Sequence, residues 1–316
     1  MKQEFKLRSN QEAKLLFGDH DYNLKITQRV FKVKIAARGD SLSIDGDEKN
    51  VNKATKAFKH LLDLIQSGRT IKRQEVDYLI KKTDEDINLN PKSIYSDRIE
   101  VPSKKQYVYP KTKGQKAYVD AMRDYDIVVA IGPAGTGKTY LAMAMAVNSL
   151  NNNIINRIIL TRPAIEAGEK LGFLPGDLYD KVTPYLRPLY DALYEMMEPE
   201  HIHKHIESGI IEVAPLAFMR GRTLNDSFII MDEAQNATRD QMKMFLTRLG
   251  FDSKVVITGD ITQSDLPGEN TSGLFHIRDI LKDIKGIKFI QLDGRDVVRH
   301  VLVQQIIGAY EKASKK

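Results

Sequence analysis

The sequence predicts an α/β chain in which a doubly wound parallel sheet follows a small α+β module. Three observations predict it. From Asp126 onward, short β-branched apolar runs alternate with stretches of helical composition. Those runs are continuously apolar rather than alternating, as strands covered on both faces require. The first 70 residues follow another plan, in which strands and amphipathic helices sit close together.

In the front module a short strand QEFKLRS leads to a helical QEAKLLF, the loop GDHD and a second amphipathic segment YNLKITQRVF. Two alternating strands, KVKIAARG and SLSIDGD, then precede a helix VNKATKAFKHLLDLIQSG. The module is expected over residues 1–70, a helix and linker over 71–106, and the large domain over 107–316. In the large domain the strands are DIVVAI, RIIL, GIIEVA, SFIIM, KVVIT and GIKFIQL. TYLAMAMAVNSL and TRDQMKMFLTRLG supply helices between them, the order of a sheet with helices on both faces.

The chain has 316 residues, enough for two ordinary domains, with 42% hydrophobic and 28% charged residues. No cysteine is present, which excludes disulfides, iron–sulfur clusters and thiolate zinc sites. MKQEFKLRSN lacks the apolar core of a signal peptide and no run suits a membrane span, so a cytoplasmic protein is expected. The net charge of +6 is uneven: residues 1–70 carry 14 Lys/Arg against 9 Asp/Glu, residues 71–125 carry 12 against 9, and the remainder 22 against 24. The basic excess at the front either meets a polyanion or serves solubility.

Directly after DIVVAI stands GPAGTGKT, which fits G-x-x-x-x-G-K-[ST] at Gly132, Pro133, Ala134, Gly135, Thr136, Gly137, Lys138 and Thr139. The glycines let the backbone N–H groups turn toward phosphate oxygens, Lys138 reaches the terminal phosphates and Thr139 offers a hydroxyl to Mg²⁺. A strand before it and a helix after it supply the context this loop needs. No base-reading N-K-x-D accompanies it, which argues against a GTPase.

The run FIIMDEAQN places Asp232 and Glu233 side by side at the end of a buried strand. Adjacent carboxylates repel unless a cation attends them. An Mg²⁺ held through Asp232 answers that need, and Glu233 is then placed to polarise an attacking water. An acidic cap on the following helix is the plainer alternative and explains one acid only. In KVVITGDITQSDL, Thr258, Gly259, Asp260 and Gln263 fall at a strand end, where doubly wound sheets gather ligands.

Together GPAGTGKT, LTRPAIEAGEKLGFLPGDL, APLAFMRGRTLNDSFIIMDEAQNAT, VVITGDITQSDL and DVVRHVLVQQIIGAY resemble the PhoH family, from about Tyr107 to Tyr310. The resemblance implies a cytoplasmic ATPase with a RecA-like P-loop NTPase core, similar to one half of a superfamily I helicase. It implies that Gln115 reads adenine, that Thr161 and Arg162 contact nucleic acid, and that Gln263 senses the γ-phosphate. Arg299, Arg220 and Arg222 are the arginine-finger candidates, each supplied across a homo-oligomeric ring. Family context further implies single-stranded or structured RNA as substrate and an endoribonuclease of ribosomal RNA maturation as partner.

The β-α-loop-α-β-β-α order of the front module resembles a KH domain, whose GxxG loop clamps a nucleic-acid backbone. Here Gly18-Asp19-His20-Asp21 lacks the second glycine and brings two acids that repel phosphate. Residues 101–118 carry five lysines and three tyrosines and no acid, a composition for backbone attraction with aromatic stacking, or for a linker that wraps the nucleotide pocket. Mg²⁺-dependent ATP hydrolysis coupled to RNA is the expected function. An ATP-gated, non-catalytic assembly or adaptor protein is the alternative, and Glu233 argues against it. No acidic cluster at the front suggests a nuclease.

Overall fold

The structure, a computed structural model, describes residues 1–66, 73–85, 98–103, 107–163, 178–261, 263, 266, 272–298 and 306; the side chains of 74, 75, 85 and 178–183 are left aside. It divides into two compact units, Met1–Asp97 and Arg98–Lys316.

The first unit runs β1 (Lys2–Lys6), α1 (Asn10–Phe17), a 3₁₀ turn at Asp19–Asp21, α2 (Tyr22–Phe31), β2 (Lys34–Arg38), β3 (Ser41–Asp45), α3 (Glu48–Gln66) and α4 (Arg73–Glu85). Its sheet is antiparallel in the order β1-β3-β2, with Phe5 opposite Leu42 and Ile35 opposite Ile44. Alternation along β3 sends Leu42 and Ile44 into a core with Leu16, Phe31, Phe58 and Leu61, and Ser41 and Asp45 to solvent. Ser9 caps α1 by accepting the Glu12 N–H, and Gly18 ends it at φ 71°, a conformation that costs a glycine little. The sequence places a helix and linker over 71–106; its helix, α4, packs on α2 and α3 inside the first unit. Tyr22 donates to Asp77 Oδ1 at 2.7 Å, and the Arg73 guanidinium lies 3.6 Å from the Tyr22 ring centroid.

The second unit opens with a two-stranded antiparallel ribbon, β4 (Ile99–Glu100) and β5 (Tyr107–Val108), then α5 (Lys113–Asp124), β6 (Ile127–Ile131), α6 (Lys138–Asn151) and β7 (Arg157–Arg162). There follow α7 (Leu178–Met196), α8 (Pro199–Glu207), β8 (Ile211–Pro215), β9 (Ser227–Met231), α9 (Arg239–Leu246), β10 (Lys254–Gly259), α10 (Gly273–Ile280) and β11 (Ile287–Gln291). The six long strands form one parallel sheet in the order β11-β6-β10-β9-β7-β8. All six coincide with the apolar runs of the sequence.

Continuous apolarity has a direct cause here. On β6, Val128 and Ala130 enter one core with Tyr118, Leu141 and Leu189, while Val129 and Ile131 enter the opposite core with Met242, Phe245 and Leu274. Strand β9 divides likewise, Phe228 and Ile230 to one side, Ile229 and Met231 to the other. The sheet is therefore doubly wound. Because β10 lies between β6 and β9, with Gly259 level with Ile131 and Ile257 level with Met231, the carboxyl ends of three strands meet at one edge. No helix among the described residues is long and apolar enough to cross a membrane.

Candidate functional site

The chain leaves β6 into the loop Gly132–Gly137, and each glycine answers a backbone need. Gly135 and Gly137 take φ 84° and 79°, and a Cβ on Gly132 would stand 2.6 Å from the Leu292 carbonyl. Gly132 N–H donates to the Gly259 carbonyl at 3.1 Å, which fastens the loop to the end of β10. Thr136 is buried and turns its hydroxyl to the Pro133 carbonyl at 2.9 Å. The Lys138 ammonium curls over the loop onto the carbonyls of Gly132 and Pro133, at 2.6 and 3.0 Å. Helix α6 begins at Lys138, so its positive dipole end faces the same loop.

Asp232 follows β9 and is buried at 3% exposure. Its Oδ1 accepts the Thr139 hydroxyl at 2.7 Å and the Thr258 hydroxyl at 2.5 Å. Its Oδ2 accepts Nε and Nη2 of Arg162 at 2.9 and 2.5 Å, and Nη2 stands 3.6 Å from Glu233 Oε1. The cation beside the paired acids is thus Arg162. Glu233 sits at φ 55°, in the left-handed region, with its side chain 45% exposed. Left-handed backbone on a non-glycine residue is a strained choice that recurs at functional sites.

Gln235 supports that choice. It is 1% exposed, donates to Glu233 Oε2 at 2.6 Å and accepts the Asp260 N–H at 3.0 Å. One buried amide therefore links the half-exposed acid to the loop after β10. In that loop the Gln263 N–H donates to the Asp260 carbonyl at 3.1 Å, and the Gln263 side chain is exposed.

Several sequence expectations meet a different geometry. Thr161 is fully buried, with its carbonyl accepting the Asp232 N–H at 2.9 Å, so its side chain presents nothing to a nucleic acid. Arg162 is spent on Asp232, Glu233 and the Tyr185 carbonyl, the last at 3.1 Å, rather than turned outward. Gln115, expected at adenine, is 4% exposed; it accepts from Lys111 N–H at 2.6 Å and donates to the Thr136 carbonyl at 3.0 Å and the Asp296 carbonyl at 3.4 Å. Its amide braces the phosphate loop. Arg222 forms a forked pair with Glu212 at 2.6 and 2.7 Å, whereas Arg220 is exposed. Both follow β8, four strands from β6, which is about 19 Å at the usual strand spacing and beyond reach of the same chain's loop. Arg299 lies outside the described residues.

Tyr109 and Tyr118 are buried, and the Tyr118 hydroxyl donates to the Lys138 carbonyl at 3.2 Å, so neither is a stacking platform. Burial, aided by the charge of Asp232, pushes the Tyr118 phenol well above its ordinary range and keeps it a donor. A brace that the sequence did not reveal runs from Thr112, whose hydroxyl donates to Asp296 Oδ1 at 2.5 Å; beyond it the Val298 N–H donates to the Gly135 carbonyl at 3.0 Å. The partners lie 184 residues apart and no local pattern joins them. In the first unit the GDHD loop, with His20 and Asp21 left-handed, borders an open cleft of about 750 Å³ where Lys14, Lys25 and Arg73 stand with Asp19.

The donor set suits Mg²⁺, which takes one or two protein oxygens and completes its shell with water and phosphate. Thr139 Oγ1 and Asp232 Oδ1 are such oxygens, already aimed at one another. Among the described residues there is no cluster of three or more His, Asp or Glu side chains that could hold a metal.

A family model described as PhoH-like protein matches residues 107–311. The chain is 51% identical over 307 residues to the PhoH-like protein of Bacillus subtilis (strain 168), covering 97% of this chain and 96% of that one, a span that takes in the first unit. It is 40% identical over 205 residues to Protein PhoH of Escherichia coli (strain K12), covering 64% of this chain and 58% of that one. The structure of the UvsW helicase from Bacteriophage T4 aligns at TM-score 0.40 and 11% identity over 65% of this chain and 68% of its own, a likeness too loose to carry an argument.

Proposed function

The chain belongs to the family of PhoH-like proteins, and from that premise we propose that it is an Mg²⁺-dependent ATPase of the cytoplasm whose hydrolysis is coupled to RNA. The observation that carries the reading is the meeting of Thr139, Asp232 and Glu233 beside the Gly132–Thr139 loop. The loop's N–H groups and the α6 terminus receive the phosphates, and Lys138 exchanges its loop carbonyls for phosphate oxygens. Thr139 and Asp232 would hold Mg²⁺, which would neutralise charge on the terminal phosphates. Glu233, half-exposed and steadied by Gln235, takes the proton of the attacking water. Gln263, exposed three residues past Asp260, whose N–H Gln235 accepts, reports on the γ-phosphate.

An arginine from a neighbouring subunit of a homo-oligomeric ring completes the charge stabilisation; Arg299 and Arg220 are the candidates that remain for it. The RNA half of the proposal rests on the basic excess of residues 1–125, on the Lys14, Lys25 and Arg73 cleft and on the family resemblance. Remodelling or unwinding during ribosomal RNA maturation, beside an endoribonuclease, is the setting it fits.

ATP turnover measured with and without single-stranded RNA, structured RNA and single-stranded DNA tests the coupling. Stimulation by RNA is expected. Turnover indifferent to every nucleic acid would leave an ATPase without that partner, and nucleotide binding without turnover would favour the ATP-gated adaptor.

A further inference from the structure

Arg162 makes contacts that ATP hydrolysis does not require. Nε and Nη2 share Asp232 Oδ2, Nη2 stands 3.6 Å from Glu233 Oε1, and Nη1 is anchored on the Tyr185 carbonyl of α7. Its side chain is 15% exposed and that of Asp232 5%, so solvent screens the pair little. With Thr139 and Thr258 on Oδ1, the carboxylate already receives four donors.

A divalent ion on Asp232 must therefore displace one of these donors or sit within a few ångströms of a guanidinium. Two cations sharing one buried carboxylate repel each other. We propose that Arg162 is a built-in competitor of the divalent metal for Asp232, a positioning residue that sets metal affinity at this site. The proposal rests on the metal-and-nucleotide reading above. Arginine suits the task because its planar fork can hold one carboxylate oxygen through two N–H groups at once. The Tyr185 anchor makes α7 the element whose position governs that grip. Pro188, one turn along α7, has no N–H for the Pro184 carbonyl, so the helix is least tightly laddered beside the anchor.

The experiment titrates Mn²⁺ into the full chain holding ADP and reads free Mn²⁺ by electron paramagnetic resonance, a measurement independent of turnover. Arg162→Gln should lower the half-saturating Mn²⁺ by about fivefold or more, the span of ordinary site-to-site coupling. Arg162→Lys keeps the charge but loses the fork and the Tyr185 anchor, and should fall between. A midpoint at or above that of the wild type in the variants would overturn the proposal and make Arg162 a holder of Asp232 for the metal. Where melting shows that Arg162→Gln does not fold, the Arg162→Lys midpoint decides alone by the same criterion. Absence of saturable Mn²⁺ binding in the wild type would instead strike the underlying metal-and-nucleotide reading.

Discussion

The Thr139 hydroxyl donates to Asp232 Oδ1 at 2.7 Å across 93 residues of sequence, and Thr258 of β10 donates to the same oxygen. The arrangement depends on β10 lying between β6 and β9, which brings a second hydroxyl to the acid. Thr258 is fully buried, so Thr258→Val keeps the shape and deletes one donor to a carboxylate. A loss of about 1.5–3 kcal/mol in unfolding free energy is expected by urea denaturation, the usual worth of a hydrogen bond to a charged group.

Gln115 acts on the phosphate loop through the Thr136 carbonyl, and its amide has no edge left for a base. Gln115→Ala should therefore weaken ATP and GTP binding alike. Fluorescent-nucleotide competition reads this, and a loss confined to ATP would restore the adenine-reading role.

Gln235 holds Glu233 and the Asp260 N–H with one amide. Gln235→Ala leaves the buried N–H without its acceptor and the acid without its donor. The expected result is a fall in kcat with KM nearly unchanged, because the contact orients Glu233, the proposed water-activating acid, rather than the nucleotide. Stability should drop by about 1–3 kcal/mol, the cost of an unsatisfied buried donor. An unchanged kcat would separate Gln235 from the chemistry.

His60 on α3 is 5% exposed, and its Nδ1 has no partner among the described residues. Burial, with Lys56 adding to it, holds the imidazole below its ordinary 6.5, while Asp63 opposes weakly. The unfolded chain binds the proton more readily, so stability is present above the ordinary value and is lost as pH falls below it toward the folded value. Hydrogen exchange of α3 amides at about pH 8 and about pH 5.5 should show faster opening at the lower pH, and His60→Leu should flatten that difference.

The four inner parallel strands were legible because each is buried on both faces, which leaves an unbroken apolar run, whereas the edge strand β11 leaves Lys288 and Gln291 exposed. Their order was not, since β10 enters between β6 and β9 through packing that no local pattern records. The two-residue strands at Ile99–Glu100 and Tyr107–Val108 are too short to carry a period. At the site, Lys138 and Thr139 declare themselves through fixed spacing to the glycines. Arg162 does not: an arginine at a strand end reads as a surface charge until Asp232, 70 residues later, is brought against it. The adjacency of Asp232 and Glu233 did announce that a cation was needed. Which cation attends them depends on the β7–β9 pairing.

The central claim is that Glu233 activates water on an ATP held by the Lys138 loop. Its most direct test is Mg²⁺-dependent ATP turnover and ATP binding measured together for the wild type, Lys138→Ala and Glu233→Gln. The account predicts turnover in the wild type only, with ATP binding lost in Lys138→Ala and kept in Glu233→Gln. Turnover in Glu233→Gln equal to the wild type, or in the wild type no greater than in Lys138→Ala, would contradict it.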